Sequence, residues 1–375
     1  MRNKFLLACA VAALASAPAV AAGNASAGLQ ALRELNLTVL GTLTTNGQEV
    51  EGKTFAGTVH ASNWTNFGIG SSAHPSQGAT GTQFDVLDAV NDASGSWRLK
   101  AGYPNGNNGT VGDTARIGGS VQDVDFNGTG NLFVGGNLNN HINVNSNNVT
   151  YGGANPGGSS PATHDASLGT GGANDLHAAL SIKLADLTGD LTALSNALSG
   201  LTSLGTITSL NSPLDYSSAT NGYAVFTMTE AAFEQQNGNF DALFSGVPAG
   251  MTTIVNVLGT DLVEGGGANN NYVGGNQSVI WNFHDATSLS LKGFHGSVLA
   301  VNADVTNSSA IEGSIVAKNF TLNGEVHLGT FAGTGNFLVP PPGGVPEPAS
   351  WAMMLVGFGA IGSVLRRPRT ATRFA

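Results

Sequence analysis

The stretch Gly-Ser-Val-Leu-Ala that begins at Gly296 returns as Gly-Ser-Ile-Val-Ala at Gly313, about 17 residues later. Val-Glu-Gly at Val50–Gly52 is answered by Ile-Glu-Gly at Ile311–Gly313, and Val-Gly-Gly-Asn occurs at Val134–Asn137 and again at Val273–Asn276. A repeat this short holds one strand-turn-strand rung. Such a rung cannot bury its apolar side alone and must stack on its neighbours. Segments such as NLTVLGTL, KTFAGTVHA, NLFVGGNL, TTIVNVLG, SVIWNF and GEVHL alternate small or apolar residues with polar ones between Gly/Asn/Ser/Thr turns. The reading is a β-solenoid with one rung per roughly 17–20 residues. A β-sandwich with coincidental echoes is the alternative.

One block breaks the period. Leu176, Leu180, Leu184, Leu187, Leu191, Leu194 and Leu198 recur at spacings of four and three, an apolar stripe along one helix. Asn174 is placed to cap its start and Gly200 to end it. Gly189, which costs about 1 kcal/mol inside a helix, marks an expected kink. The flank of the solenoid can cover the stripe; a coiled-coil dimer is the other way to bury it. A second short helix is expected from Thr229 to about Gln236.

Both ends read as addresses. Arg2 and Lys4, the apolar run to Val20 and the small residues through Ala22 form an export signal over residues 1–22. Only about four apolar residues precede Cys9, against a usual stretch of roughly seven, so lipidation at Cys9 is the poorer reading. Cys9 is the one cysteine. The processed chain therefore has no disulfide, thiolate metal site or cysteine nucleophile. Residues 23–338 form the body. Residues 339–348 are a Pro/Gly-rich linker, 349–365 an apolar run and 366–375 a basic tail. That run is at the lower limit of the roughly 17–25 residues that span a bilayer. Trp351 suits the outer interface, and Arg366 and Arg367 are the stop on the cytoplasmic side.

The net charge is −10, but six of the basic residues lie in the terminal segments. Between residues 23 and 345 there are 8 basic and 23 acidic residues, so 8 − 23 = −15. That surface repels phosphate backbones and argues against a nucleic-acid partner. Charged residues are 10% of the chain, against about 25% in ordinary domains, so the surface must be mostly uncharged and polar.

The C-terminal stretch Val345 to Arg369 resembles the PEP-CTERM sorting signal of Gram-negative bacteria. It carries Pro346, Glu347 and Pro348, then the apolar run, then Arg366-Arg367. The resemblance implies an exosortase as processing partner, transient membrane contact through residues 349–365, and removal of the tail. The body resembles the choice-of-anchor A family, related to ice-binding-like adhesive β-solenoids. The residues that carry this are NLTVLGTLTTNGQEVEGKTFAG, the helix from Asn174, and the segment from VIWNFHDATSLSL to GEVHL. Val301 stands where that family often has proline. The resemblance implies a mainly β, discontinuous right-handed parallel β-solenoid with one long α-helix packed along its side. It brings no catalytic residues.

Local motifs add little chemistry. Gly357 to Gly362 matches G-x-G-x-x-G, but no strand precedes it and it lies in the sorting segment. Asp123, Asp125 and Asn127 begin like a calcium loop, yet the twelfth position is Val134 where a bidentate Glu is required. Asp85, Asp88 and Asp92 read as a solvated face. His284 and His295 could approach each other and read as structural. His284-Asp285 invites a Ser-His-Asp triad, but there is no G-x-S-x-G elbow. Trp64, Trp97 and Trp281 could stack on sugar rings if exposed, and each fits core packing better. No catalytic residue, metal ligand or cofactor is expected. The chain reads as an exported, non-catalytic adhesin of the cell surface or exopolysaccharide matrix, with extracellular polysaccharide or neighbouring cells as partner. An ice-binding protein and a polysaccharide-active enzyme are the alternatives. A flat ice face wants T-x-T rows on successive coils, and in the linear sequence Thr and Ser do not fall into them.

Overall fold

Period-two alternation sets the strands. Along Ser297–Asn307, Val301, Ala303, Val305 and Asn307 point inward, while Asn302 and Asp304 are exposed. The structure is a computed structural model that describes residues 23–69, 85–99, 114–126, 131–144, 148–158, 161–236, 238–265 and 275–338. The export segment, Pro346, Glu347, Pro348, Gly357 to Gly362, Arg366 and Arg367 lie outside them.

The strands stack into a parallel β-solenoid, and every ladder between named strands is parallel. The central coils cross three ladders, so the stack has three faces, the third running through Phe294–His295, Ile311–Glu312, Val326–His327 and Glu49–Val50. Two of the echoes noted above are coil repeats, and the third, at 273–276, lies partly outside the described residues. Val298, Leu299 and Ala300 sit directly beside Ile315, Val316 and Ala317. Val50 and Ile311 both pair with Val326, on its opposite sides. The corner before the first face needs glycine. Gly296 and Gly313 have φ of 110° and 142°, and a Cβ on Gly296 would lie 2.7 Å from the Trp281 ring nitrogen.

The coils do not follow chain order. On the first face the ladder starts at Gly205–Ile207 and runs through Tyr223–Met228, Thr252–Val257, Val279–Asn282 and the starts of Ser297–Asn307 and Ile315–Leu322. There it meets the first strand, Leu37–Asn46, whose other side pairs with Thr54–Phe67. It continues through Leu87–Ala89, Thr114–Ile117, Asn131–Val134 and Asn148–Tyr151 to Thr163–His164. The N-terminal coil is thus clamped in mid-stack between the last coil and the second. This is the discontinuity of the fold.

The chain must therefore travel back along the stack, and a helix does so. Helix α1 (Ala25–Glu34) is capped by the Asn24 side chain, and helix α2 (Leu176–Ser199) lies along the first face. From Leu87–Ala89 to Thr252–Val257 there are six interstrand spacings of ~4.8 Å, about 29 Å. The 24 residues of α2 at ~1.5 Å each span about 36 Å, enough for the return. Asp175, rather than Asn174, caps α2: its side chain accepts from Ala178 N at 2.9 Å, while the Asn174 amide donates to Ser167 Oγ. Gly189 lies inside an uninterrupted helix. The backbone of Gly23 crosses there, and a Cβ on Gly23 would fall 1.9 Å from the Gly189 carbonyl oxygen. The second short helix, α3, is only Glu230–Phe233, capped by Thr229, and α4 (Phe240–Leu243) follows it.

The leucine stripe is buried, apart from a half-buried Leu184. Polar contacts fix the helix in place. Asn282, fully buried on the first face, donates to the Ser195 carbonyl at 3.0 Å and to Asn256 Oδ1 at 2.8 Å, and Asn256 donates to the Leu198 carbonyl at 2.9 Å. Toward the other end Lys183 donates to Asp88 at 3.2 Å. Leu191→Ala should destabilise the protein by about 2–5 kcal/mol. Ile182→Ala, at a residue 65% exposed on the same helix, should stay within about 0.5 kcal/mol. Urea unfolding of both variants checks this.

A second set of contacts joins the first and last coils. Asn36, fully buried, donates to the carbonyls of Gly313 and His327, each at 2.8 Å, and accepts from Gly52 N at 2.9 Å. On the third face the His327 ring bridges Glu312 at 2.5 Å and Glu325 at 2.7 Å, and Glu51 accepts from Leu328 N at 2.7 Å. The hydrogen bond to Glu312, then that to Glu325, raises the His327 pKa from 6.5 to about 9, against the opposing effect of burial. The folded state thus holds this proton more tightly than the unfolded chain. The stabilisation is complete below about pH 6.5 and fades as pH rises through about 9. Glu264, whose carboxyl is pushed up to about 7 by burial, titrates in a lower window. Melting temperature should fall between pH 7 and 9.5, and His327→Gln should flatten that fall. An unchanged slope in the variant would refute the assignment.

Candidate binding face

Helix α2 covers the first face, and the second face carries two outward polar rows. Inward, Leu262, Leu289, Val305, Phe320, Leu43 and Val59 stack coil on coil. Two positions apart, the neighbouring residues alternate outward. One outward row runs Val263, Ser290, Thr306, Thr321, Thr44, His60 and Ser94. The parallel row runs Asp261, Ser288, Asp304 and Asn319, then Thr42 and Thr58. Along each row the strands repeat at ~4.8 Å.

Side-chain bonds order the rows. Asn319 donates to Asp304 Oδ1 at 2.7 Å and accepts from Thr42 N at 2.8 Å. Asn323 donates to Thr306 Oγ1 at 3.1 Å, and His60 Nδ1 lies 2.7 Å from Ser94 Oγ. Three threonines, Thr306, Thr321 and Thr44, therefore do stand on successive coils, in contrast to their scatter in the linear sequence. Only Thr42 and Thr44 make a full T-x-T rung, since Asp304 and Asn319 occupy the companion row. Hydroxyls and amides at this spacing can exchange hydrogen bonds with an extended polyhydroxylated ligand or with ordered water.

The edge between the second and third faces carries Trp64, which is half-buried. Trp97 and Trp281 are fully buried. Trp97 meets Phe67 edge-on, and Trp281 packs among Phe240, Phe244 and Phe294. Beside Trp64, the Arg98 guanidinium lies 4.6 Å from the indole centroid and pairs with Asp125 at 3.1 Å.

The other expected sites resolve differently. The three aspartates are not a solvated face as a group. Asp88 is fully buried and receives two bonds from Arg116, at 3.0 and 2.8 Å, besides that from Lys183; Asp85 pairs with Arg116. Burial, then the neighbouring Asp88, pushes the Asp85 carboxyl up to about 6, and burial lowers the Lys183 pKa. Only Asp92 of the three is exposed. Sequence patterning could not find this group, because Arg116 and Lys183 reach it from another coil and from α2. Asp123 and Asp125 lie within the strand Val121–Phe126, with Asp125 committed to Arg98, and Asn127 lies outside the described residues.

Ser195, His284 and Asp285 do come together: Ser195 Oγ is 3.2 Å from His284 Nδ1, and His284 Nε2 is 3.7 Å from Asp285. Yet Ser195 is fully buried, and its hydroxyl donates to Asn282 Oδ1 at 2.7 Å. With its one proton committed there, it accepts from His284 rather than donating to it. That is the reverse of what an activated nucleophile requires. His295 lies on the third face, beside Glu312 on the next coil. Among the described residues no group of three or more His, Cys, Asp and Glu is arranged to hold a metal.

A model of the ice-binding-like adhesive domain matches residues 105–328, more than half of the chain. A model of the PEP-CTERM protein-sorting motif matches residues 344–369. No curated protein gives a significant match. A crystal structure of an ice binding protein from an Antarctic bacterium, Flavobacteriaceae, is similar at 14% identity, with 82% of this chain and 98% of that one covered and a TM-score of 0.21. At that score the likeness adds nothing to the fold read from the strand pairings. The chain belongs to the ice-binding-like adhesive domain family and carries a PEP-CTERM sorting motif at residues 344–369.

Proposed function

We infer that this is a non-catalytic adhesin of the cell surface or exopolysaccharide matrix that holds extracellular polysaccharide or neighbouring cells through its second face. The observation that carries the reading is the pair of outward rows, mostly Thr, Ser, Asn and His with Asp261, Asp304 and Val263 among them, on successive coils. Such a face has no deep pocket. Each contact with a sugar hydroxyl is weak, and many contacts along the rows, or many copies on a cell, multiply into avidity. The acidic body favours uncharged over anionic ligands. The buried, committed Ser195 hydroxyl supports a non-catalytic reading. The sorting motif marks an exported, exosortase-processed protein with a membrane-held precursor. Release of the body after cleavage near Pro346-Glu347-Pro348 would deliver it to the matrix.

Ice binding is the second reading, favoured by the Thr306-Thr321-Thr44 alignment and by the family's name. The interruption of the companion row by Asp304 and Asn319 weighs against it. Thermal hysteresis measurements separate the two.

The exported protein should co-sediment with the producing strain's matrix polysaccharide. The double variant Thr44→Glu/Thr321→Glu, which places charge in mid-row, should lose at least tenfold in retention at unchanged melting temperature. Retention at the unmodified level would sink the face as the binding surface. Intact-mass analysis from a strain with a working exosortase should show the chain ending near residues 346–348. An intact tail through Ala375 would contradict the processing.

A further inference from the structure

The geometry points to Trp64 as a stacking platform for an uncharged pyranose ring, the anchoring subsite at the edge of the polar face; this rests on the adhesin reading above. The coil is interrupted to present it. Ala61 pairs with Gly95 and Thr65 with Trp97, so four residue steps (61 to 65) face two (95 to 97). The surplus is Asn63 and Trp64, with φ of 50° and 59°. Asparagine accepts the left-handed region readily, whereas a bulky aromatic there is an outlier. Among the described residues, four of the five non-glycine residues with positive φ lie at this edge of the coils: Asn63, Trp64, Asp123 and Asn140. Three are Asn or Asp, and Trp64 is the exception.

Bulges that turn a side chain out of a strand commonly re-aim it for a purpose, and strain of this kind collects at ligand sites. The other aromatic side chain at this bulge, Trp97, is fully inside, so Trp64 is not needed to fill the core. The ring is nevertheless held. Arg98 covers one side of it and is itself fixed by Asp125. A platform held in place this way loses little conformational freedom when a ring stacks on it.

The chemistry around it names the ligand class. Asn46 accepts from Ser62 Oγ at 3.1 Å and from the Asn63 amide, giving a small hydroxyl-and-amide shelf at the bulge that carries Trp64. The apolar face of a pyranose suits the indole, and its rim hydroxyls suit that shelf. Arg98 is offset by Asp125, and Glu49 lies on the next strand, paired with Asn66. A carboxylated sugar would therefore meet no free positive charge and a net negative surround.

The test uses the purified exported chain and the producing strain's extracellular polysaccharide, split on an anion exchanger into neutral and anionic fractions. Wild type should bind the neutral fraction more tightly. Trp64→Gly should lose at least tenfold in affinity with no fall in melting temperature, because glycine relieves the left-handed strain, and Trp64→Phe should lose less. Full affinity in Trp64→Gly would overturn the subsite and leave the adhesin reading standing. So would a loss of affinity matched by a large drop in melting temperature, the mark of a structural role. Preference for the anionic fraction would overturn the ligand class. Binding of neither fraction by the wild-type chain would overturn this inference and the polysaccharide reading beneath it together.

Discussion

The pairing of the first strand, Leu37–Asn46, between Ile315–Leu322 and Thr54–Phe67 is the contact on which the rest depends. It makes one stack out of two runs of coils that grow in opposite directions from mid-stack. Asn36 holds the junction from inside, with its amide bonded to three segments of chain at once. Each of those partners is a backbone group beside a corner of the coil, so one side chain satisfies polar groups from three segments. The junction also brings together Asn36 and His327, residues 291 positions apart. Closing a loop of that length costs entropy that the contacts of the junction must offset.

Once the coils are ordered this way, the chain must run the length of the stack, and α2 is the return path. Its leucines supply the burial energy and are indifferent to register along an apolar face. The Asn256–Asn282–Ser195 group and the Asp88–Arg116–Lys183 group are not indifferent. A shift of the helix by one turn would strand a buried amide and a buried carboxylate. These polar contacts therefore define position, while the leucines define adhesion to the face. The helix also decides which surface remains for binding, because it packs on the first face and, among the described residues, not on the second.

A solenoid face is a regular lattice of side chains at fixed spacing, and it suits repetitive ligands better than a single small molecule. The second face has that regularity in its hydroxyl and amide rows, with the strained Trp64 at its edge as a point of departure from it. Weak repeated contacts with one stronger anchor is a workable design for an exported protein addressed by a sorting motif. The low content of charged residues fits such a surface, since strongly hydrated ions would compete with sugar hydroxyls for the same contacts.

Much was legible in the residues themselves. The alternation marks strands because a pleated chain sends successive side chains to opposite faces, and the Gly296/Gly313 echo marks adjacent coils because equivalent corners need the same glycine. The leucine stripe and the sorting motif are likewise local patterns. What local pattern could not supply is who sits next to whom. Asp88 looks solvated in the sequence and is buried, because Arg116 arrives from one coil and Lys183 from the helix. Thr306, Thr321 and Thr44 look scattered and are neighbours, because the first and last coils of the body meet in mid-stack. Trp64, Trp97 and Trp281 look alike, and a register mismatch of two residues moves Trp64 to a half-buried edge while Trp97 stays in the core. Strand identity is thus a property of short stretches, governed by side-chain period and turn chemistry. Coil order, the exposed face and the accessible aromatic depend on long-range closure, whose registers exist only once the stack has formed.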